Sequence, residues 1–260
     1  MHKRIEEFAL NAWPALQTMV YRGWLLRFAD GYTKRSNSVS AIYSEDSSNL
    51  VDRIQYCEDV YVKSGLDVVF KITPFNPPVL DQALEARGYS KFDITIVKAL
   101  ERLHDVELPT YPEVEIMDEL NDKWLDALQQ ITGLSDQHRA VTRQMLEPQA
   151  ATEYGYFALY YKSVPIACGL GAIEDSMLGI YDIATSPDFR NRGFARQLLL
   201  HMIQWAQQKG ATSSYLQVVA NNVAANRLYE GLHYKEIYRY WYRHLSKQQV
   251  AMNESQLPFR

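Results

Sequence analysis

Residues 180–196, Ile-Tyr-Asp-Ile-Ala-Thr-Ser-Pro-Asp-Phe-Arg-Asn-Arg-Gly-Phe-Ala-Arg, leave the chain little choice of local fold. Apolar residues up to Thr185 predict a strand over 177–185, and Ser186-Pro187-Asp188 is a turn signal. Beyond it, Arg190-x-x-Gly193-x-Ala195 opens an apolar-periodic segment over 194–208 that stops at Gly210, the pattern of a long amphipathic helix. A strand thus passes through a tight turn into a helix N-terminus. The first turn of a helix carries N–H groups without an intrahelical acceptor, and the helix dipole favours an anion there. Gly193 and Ala195 let an anion approach the backbone, and Arg190, Arg192 and Arg196 add guanidinium forks suited to phosphate oxygens. Arg190, Asn191, Arg192, Gly193, Phe194, Ala195 and Arg196 are therefore a candidate pyrophosphate cradle. The plainer alternative is a solvated, arginine-rich helix start.

Other phosphate loops and nucleophile motifs fit worse. There is no GxxxxGK(S/T), no GxSxG elbow and no HExxH. Gly169-Leu170-Gly171 lacks the third glycine of a dinucleotide fingerprint and falls in a hairpin strand rather than before a helix. His201 lies inside the 194–208 helix and reads as a packed or surface histidine rather than a ligand.

A second stretch, 215–234, reads Tyr-Leu-Gln-Val-Val-Ala-Asn-Asn-Val-Ala-Ala-Asn-Arg-Leu-Tyr-Glu-Gly-Leu-His-Tyr. Arg-x-x-Gly-x-Ala after a strand, followed downstream by Asn222-x-x-Ala225-x-x-Leu228-Tyr229, resembles the GNAT superfamily of acyl-CoA-dependent N-acyltransferases. The resemblance covers residues 113–245 in element order. It implies an α/β fold with a central, mostly antiparallel sheet flanked by helices. It also implies that acetyl-CoA, the cosubstrate, lies where strand 177–185 splays from strand 212–219. Its pantetheine would pair with the backbone of Ile183, Ala184 and Thr185, its pyrophosphate would sit on the amides of 191–196, and Asn222 would help hold the pantetheine arm. A neutral primary amine, on a small molecule or a peptide, would attack the acyl carbon directly. Tyr229 is at the position of the family's general acid, which protonates the departing thiolate. In a chain with 18 tyrosines, a core tyrosine on an apolar helix face is the alternative.

Four positions depart from the family pattern. Ala195 replaces a second glycine and Asn191 a frequent one. His233 stands where glycine usually precedes the last aromatic, which is acceptable if φ is negative there. Gln217 occupies a strand position that can carry a glutamate base, and an amide cannot take a proton. Asp182, and less favourably Glu174, are the remaining candidates for a base acting through water. A water path without any base is the other reading.

The chain also carries a faint internal repeat. At an offset of 145, residues 49–100 match 194–245 in kind, with Gly65 against Gly210 and Tyr89 against Tyr234. The expected organisation is a degenerate GNAT-like half over 1–105, an acetyl-CoA-binding domain over 106–246 and a polar tail over 247–260, with a proline-bearing linker near 101–113. Helices are expected over 4–18, interrupted at Pro14, and over 48–64, 79–87, 121–133, 135–147, 194–208 and 223–231. Strands are expected over 23–28, 37–43, 67–73, 92–99, 113–117, 154–161, 164–173, 177–185, 212–219 and 234–244. The offset places Leu84 opposite Tyr229 and Glu45-Asp46-Ser47-Ser48-Asn49-Leu50 opposite the arginine loop. The first half has thus lost the phosphate loop and the thiol acid, and Glu45 and Asp46 would repel a pyrophosphate. Lys34-Arg35-Ser36-Asn37 either helps shape the acceptor side or is a solvated loop.

Composition narrows the function classes. Of 260 residues, 47% are hydrophobic and 22% charged, so the chain can bury a core without disulfide or metal staples. Cys57 and Cys168 form no CxxC and have no histidine cluster beside them, which excludes a cysteine-based metal site and fits a reducing, cytoplasmic setting. A net charge of −4 argues against a nucleic-acid partner. Tyr238, Tyr240 and Tyr242 alternate with Arg239, Trp241 and Arg243, which suggests base stacking, but a strand buried on both faces is the better reading. No apolar run reaches the ~18 residues of a membrane span. Two other functions remain open at this level: a catalytically silent CoA-binding regulator, and an aminoacyl-tRNA-dependent transferase. Retention of Tyr229 weighs against the first, and the acidic charge with an intact arginine loop against the second.

Overall fold

The computed structural model describes residues 2–43, 49–147 and 152–255. The first elements are α1 (His2–Ala12), β1 (Gln17–Tyr21), β2 (Trp24–Phe28), β3 (Val39–Ser40), α2 (Leu50–Lys63), β4 (Val68–Ile72), α3 (Pro78–Ala86) and β5 (Ser90–Leu100). Then come β6 (Val114–Met117), α4 (Asp122–Thr132), α5 (Asp136–Met145), β7 (Glu153–Tyr161), β8 (Val164–Glu174) and β9 (Met177–Thr185). The chain finishes with α6 (Phe194–Gln208), β10 (Ser213–Val219), α7 (Val223–Glu230), β11 (Lys235–Leu245) and α8 (Lys247–Ser255). It divides into two compact units: unit 1 is Met1–Pro14 with Ile96–Ile237, and unit 2 is Ala15–Thr95 with Tyr238–Arg260.

Unit 1 carries the strand order β5-β10-β9-β8-β7-β6. Strands β6 to β9 form an antiparallel meander, and β10 joins β9 in parallel. The apolar stripe of α6 (Leu198, Leu199, Met202 and Trp205) packs on Phe157, Leu178 and Ile180 of the sheet. Gly169 and Gly171 permit that approach. A Cβ on Gly169 would lie 2.6 Å from Ile183 Cδ1, and one on Gly171 3.2 Å from Trp205 Cζ3. These glycines serve packing, as their place in a hairpin strand requires. Residues Tyr181 and Tyr215, which alternate with the α6-facing residues, stack on Trp13 and Phe8 beside α1.

Unit 2 has the order β1-β2-β3-β4-β11, with α2, α3 and the buried Val250 of α8 contributing to its core. One expectation fails here: the helix expected over 4–18, with an interruption at Pro14, does not resume after the proline. It ends at Ala12, and Gln17–Tyr21 is strand β1, joined to β2 through Arg22-Gly23 (φ 46° and 81°), a two-residue hairpin turn with left-handed backbone. Pro14 stops the helix and the Thr-Met-Val-Tyr run favours a strand. The polar 247–260 segment likewise holds a helix, because Asp67 accepts from Lys247 N (3.0 Å) and Val250 is buried. Tyr238, Tyr240 and Tyr242 are buried but Arg239 is exposed and Trp241 half-buried, so the expected burial of both strand faces fails over 238–242, where one face is buried; Arg243 beyond it is buried as well.

The repeat is visible in the elements. The offset of 145 lays α2 on α6, β4 on β10 and α3 on α7, and it carries β5 onto β11 end to end. Gly65 (φ 75°) meets Gly210 (φ 87°), each just beyond its helix. The parallel pair β3–β4 of unit 2 answers to β9–β10 of unit 1. The final strands are exchanged: β5, which closes the first half in sequence, lies beside β10, whereas β11 pairs antiparallel with β4.

Unit 2 also closes the opening after its parallel pair. Asn76 accepts from Thr73 N (2.7 Å) and donates to Ala41 O (2.9 Å), a bridge from the end of β4 to the segment after β3. Of the residues opposite the arginine loop, 45–50, residues 45–48 lie outside the described residues, so the expected repulsion by Glu45 and Asp46 has no structural account. Lys34-Arg35-Ser36-Asn37 is an ordered turn. Asn37 Oδ1 accepts from Ala29 N (2.7 Å) and Gly31 N (3.0 Å), and Lys34 pairs with Asp93. Replacing Asn76 with Ala leaves a buried N–H and a buried carbonyl unpaired, so unfolding in urea should show a loss of about 2–4 kcal/mol.

Candidate active site

Pairing between β9 and β10 runs from Ser213↔Met177 to Leu216↔Ile180 and ends there, although β9 continues to Thr185 and β10 to Val219. The two strands part at this point. The cause lies on the other side of β9. Its register with β8 shifts between Leu170↔Tyr181 and Cys168↔Ala184, so Asp182 and Ile183 together oppose Gly169. This is a β-bulge, with Asp182 in the left-handed region (φ 49°). A bulge bends and twists its strand, which here turns β9 away from β10. Ile183, Ala184 and Thr185 therefore line the opening.

The chain then turns into α6. Ser186 N donates to Ile166 O (2.8 Å), Pro187–Phe189 make one 3-10 turn, and Arg190 Nε donates to Thr185 O (3.2 Å). Asn191 (φ 60°) and Gly193 (φ 81°) both adopt left-handed backbone. Gly193 is the N-cap residue of α6, no side chain caps that end, and a Cβ on Gly193 would meet nothing within 4 Å. The amides of Phe194, Ala195 and Arg196 thus open a helix beside free space. Arg190 and Arg192 are exposed, and Arg192 lies over the Phe189 ring at 5.4 Å. Arg196 is paired with Glu107, and sequence reasoning missed this partner.

Helix α7 supplies Tyr229. Asn222 is its N-cap, with Oδ1 accepting from Ala225 N (3.1 Å). Its exposed side chain retains the amide nitrogen for other contacts. Asn226, also missed from the sequence, donates Nδ2 to Asn222 O (2.9 Å) and Val219 O (3.3 Å), tying α7 to the end of β10. Glu230 accepts from Lys98 Nζ of β5 (2.8 Å), so a strand from the first half of the sequence anchors this helix. Tyr229 is 7% exposed, and among the described residues its hydroxyl has no protein partner. Burial alone pushes its pKa up to about 12. Its neighbour Tyr234 donates to Ser214 Oγ (2.8 Å).

Of the carboxylates, Glu174 accepts from Asn11 Nδ2 (2.9 Å) and lies 3.8 Å from Arg4, which gives it a role in holding α1. Asp182 sits at the bulge, and its charge, after burial, helps to raise the pKa of the Cys168 thiol. His201 is buried with Nε2 2.6 Å from Tyr111 O, a packed histidine as read from the sequence. At His233 the condition of negative φ is not met. Its φ is +67°, because Tyr234 N must return to Tyr229 O (3.0 Å) to close the end of α7. Gly88, the repeat-related residue, has φ +88° at the same point.

The family model described as "Probable histone acetyltransferase Rv0428c C-terminal" matches residues 2–243. The chain belongs to the GNAT superfamily of N-acetyltransferases. It is 30% identical over 251 residues to "Uncharacterized N-acetyltransferase YobR" of Bacillus subtilis, covering 93% of this chain and 97% of that one. Among solved structures, a GCN5-related N-acetyltransferase from Kribbella flavida aligns with TM-score 0.71 at 16% identity, over 93% and 94% of the two chains. A tandem GNAT protein from the clavulanic acid biosynthesis pathway aligns with TM-score 0.62 at 8% identity, over 81% and 75%. The mixed α/β architecture is thus the GNAT fold, present as two GNAT-like halves. No helix among the described residues is long and apolar enough to cross a membrane.

In this enzyme His233 carries left-handed strain that a glycine avoids. His233→Gly should raise stability by about 1 kcal/mol, read as a higher thermal midpoint, because relief of the left-handed penalty exceeds the added unfolded-state entropy.

Proposed function

We propose that the enzyme transfers an acetyl group from acetyl-CoA to a primary amine by direct attack, with Tyr229 as the acid that protonates the leaving thiolate. The observation that carries this reading is the opening between β9 and β10, flanked by an uncapped helix N-terminus. The residues fit the cosubstrate. The parted edge of Ile183, Ala184 and Thr185 can pair with an extended amide chain, and the open space at Gly193 leaves room for phosphate oxygens against the α6 amides. Arg190, Asn191 and Arg192 are exposed just before that helix end, and Asn222 is exposed at the start of α7. Acetyl-CoA would supply the activated acyl carbon and a thiolate leaving group.

Tyr229 suits the acid role because burial without a partner keeps its phenol protonated at neutral pH. A phenol that gives up its proton to a nearby thiolate recovers it from solvent afterwards. Asp182 is the carboxylate best placed to draw a proton from the incoming ammonium through water, since the bulge lifts it out of the ladder at the opening. Gln217 leaves no competing base at its own position. The acceptor is a small-molecule or peptide amine; the mild acidity of the chain suits a cation. Retention of a neutral, buried tyrosine at this position favours an enzyme over a silent CoA-binding regulator.

Two outcomes are expected. Tyr229→Phe should lower kcat by about 10²–10⁴-fold with the KM for acetyl-CoA nearly unchanged, measured as amine-dependent thiol release. Phenylalanine fits the same apolar site, so the fold survives. Because the phenol titrates only near 12, kcat of the wild-type enzyme should show no fall between pH 8 and 10. A basic limb in that range that disappears in the Phe variant would refute the assignment. Arg190→Ala should weaken CoA binding by about tenfold in a calorimetric titration, the loss of one charge-assisted contact.

A further inference from the structure

The linker between the halves is not a loose tether but a strap across the first two turns of α6. Thr110 N and Tyr111 N both donate to Gln197 Oε1 (2.8 and 2.9 Å), and Tyr111 O faces His201 Nε2 (2.6 Å). The Tyr111 ring stands edge-on to Phe194 at 5.3 Å, and its hydroxyl donates to Tyr160 O (2.5 Å). Phe194, Gln197 and His201 recur at helical spacing, so the strap follows one face of α6. Its outer end is Glu107, whose carboxylate pairs with Arg196. Both groups are partly solvated, with side-chain exposures of 57% and 34%. Arg190 and Arg192 have no carboxylate partner among the described residues; their contacts are the Thr185 carbonyl and the Phe189 ring.

We propose that Glu107 competes with the diphosphate of the acyl donor for Arg196, so that the linker sets cofactor affinity. The inference rests on the reading of 190–196 as the diphosphate cradle. Arg196 is in the first turn of α6, where an arriving diphosphate meets the helix amides. A diphosphate carries more charge than one carboxylate and also has those amides to bind, so it wins the guanidinium. Glu107 is then released. Thr110 and Tyr111 stay fixed, because their contacts are to Gln197, His201, Phe194 and Tyr160, none of which the exchange touches. Only the segment before Pro109 loosens. Each binding event thus includes the cost of breaking one exposed ion pair, a few-fold in affinity.

The test is calorimetric titration of CoA into the full-length enzyme and its Glu107→Gln, Arg196→Ala and doubly substituted forms. Glu107→Gln should tighten binding by about threefold at low salt, and the gain should shrink at high salt as the pair is screened. In the Arg196→Ala background the same substitution should change nothing, and amide exchange at Val106–Leu108 should quicken when CoA binds to the wild-type enzyme. Weaker binding by Glu107→Gln would overturn the proposal, because Glu107 would then be orienting Arg196 for the cofactor. An equal gain without Arg196 would also overturn it, as that is only a through-space charge effect. Arg190→Ala separates the two levels. If it and Arg196→Ala both leave CoA affinity unchanged, the cradle itself is misassigned; if both weaken binding while Glu107→Gln behaves as wild type, the competition alone is wrong.

Discussion

The site depends on one failure of strand pairing. After Leu216↔Ile180 the parallel strands β9 and β10 stop sharing hydrogen bonds, because an extra residue in β9 has re-aimed the strand. Buried backbone groups are normally paired, so an interior edge left open in the middle of a sheet is costly unless something else fills it. An extended, amide-bearing ligand meets that need. The same bulge lifts Asp182 out of the ladder and directs the chain through Ser186-Pro187 into α6. The parted strands, the carboxylate and the helix N-terminus are therefore consequences of one local irregularity.

The repeat shows what the molecule does without that irregularity. Unit 2 keeps the parallel pair and the helix–strand–helix–strand order, but Asn76 bridges the ends of β3 and β4 where unit 1 is open. Leu84 stands where unit 1 has Tyr229, fully buried and unable to hold a proton for transfer. Residues 96–100 of β5 belong to unit 1, where the strand lies beside β10 and Lys98 holds the end of the helix that carries Tyr229.

Much of this was legible from residues alone. The helix–strand order, the repeat, the arginine loop and the tyrosine helix all rest on local signals: apolar periodicity, terminal glycines, a proline turn and short motifs. The strand Gln17–Tyr21 was missed because an apolar run next to a helix has no periodicity long enough to separate the two states. The φ of His233 stayed open because the φ of a helix terminus is set by the returning backbone hydrogen bond, not by the side chain. Asn226 bonds only to carbonyls within seven residues, but the geometry of the turn between β10 and α7 is needed to see it; Glu107 was missed because its partner is set by a tertiary contact, 89 residues away at Arg196.

The sequence by itself determined the family and the strand–turn–helix that carries the arginine loop, since each of these is written in contiguous residues. Only the tertiary structure decided which strands pair and where pairing ends, and that Glu174 belongs to α1 and Glu107 to Arg196. It also decided that the Tyr229 pKa rises above its ordinary value, because desolvation depends on what surrounds the hydroxyl in space. Motifs state which groups are present; burial and register fix their protonation, their partners and the gap into which they point.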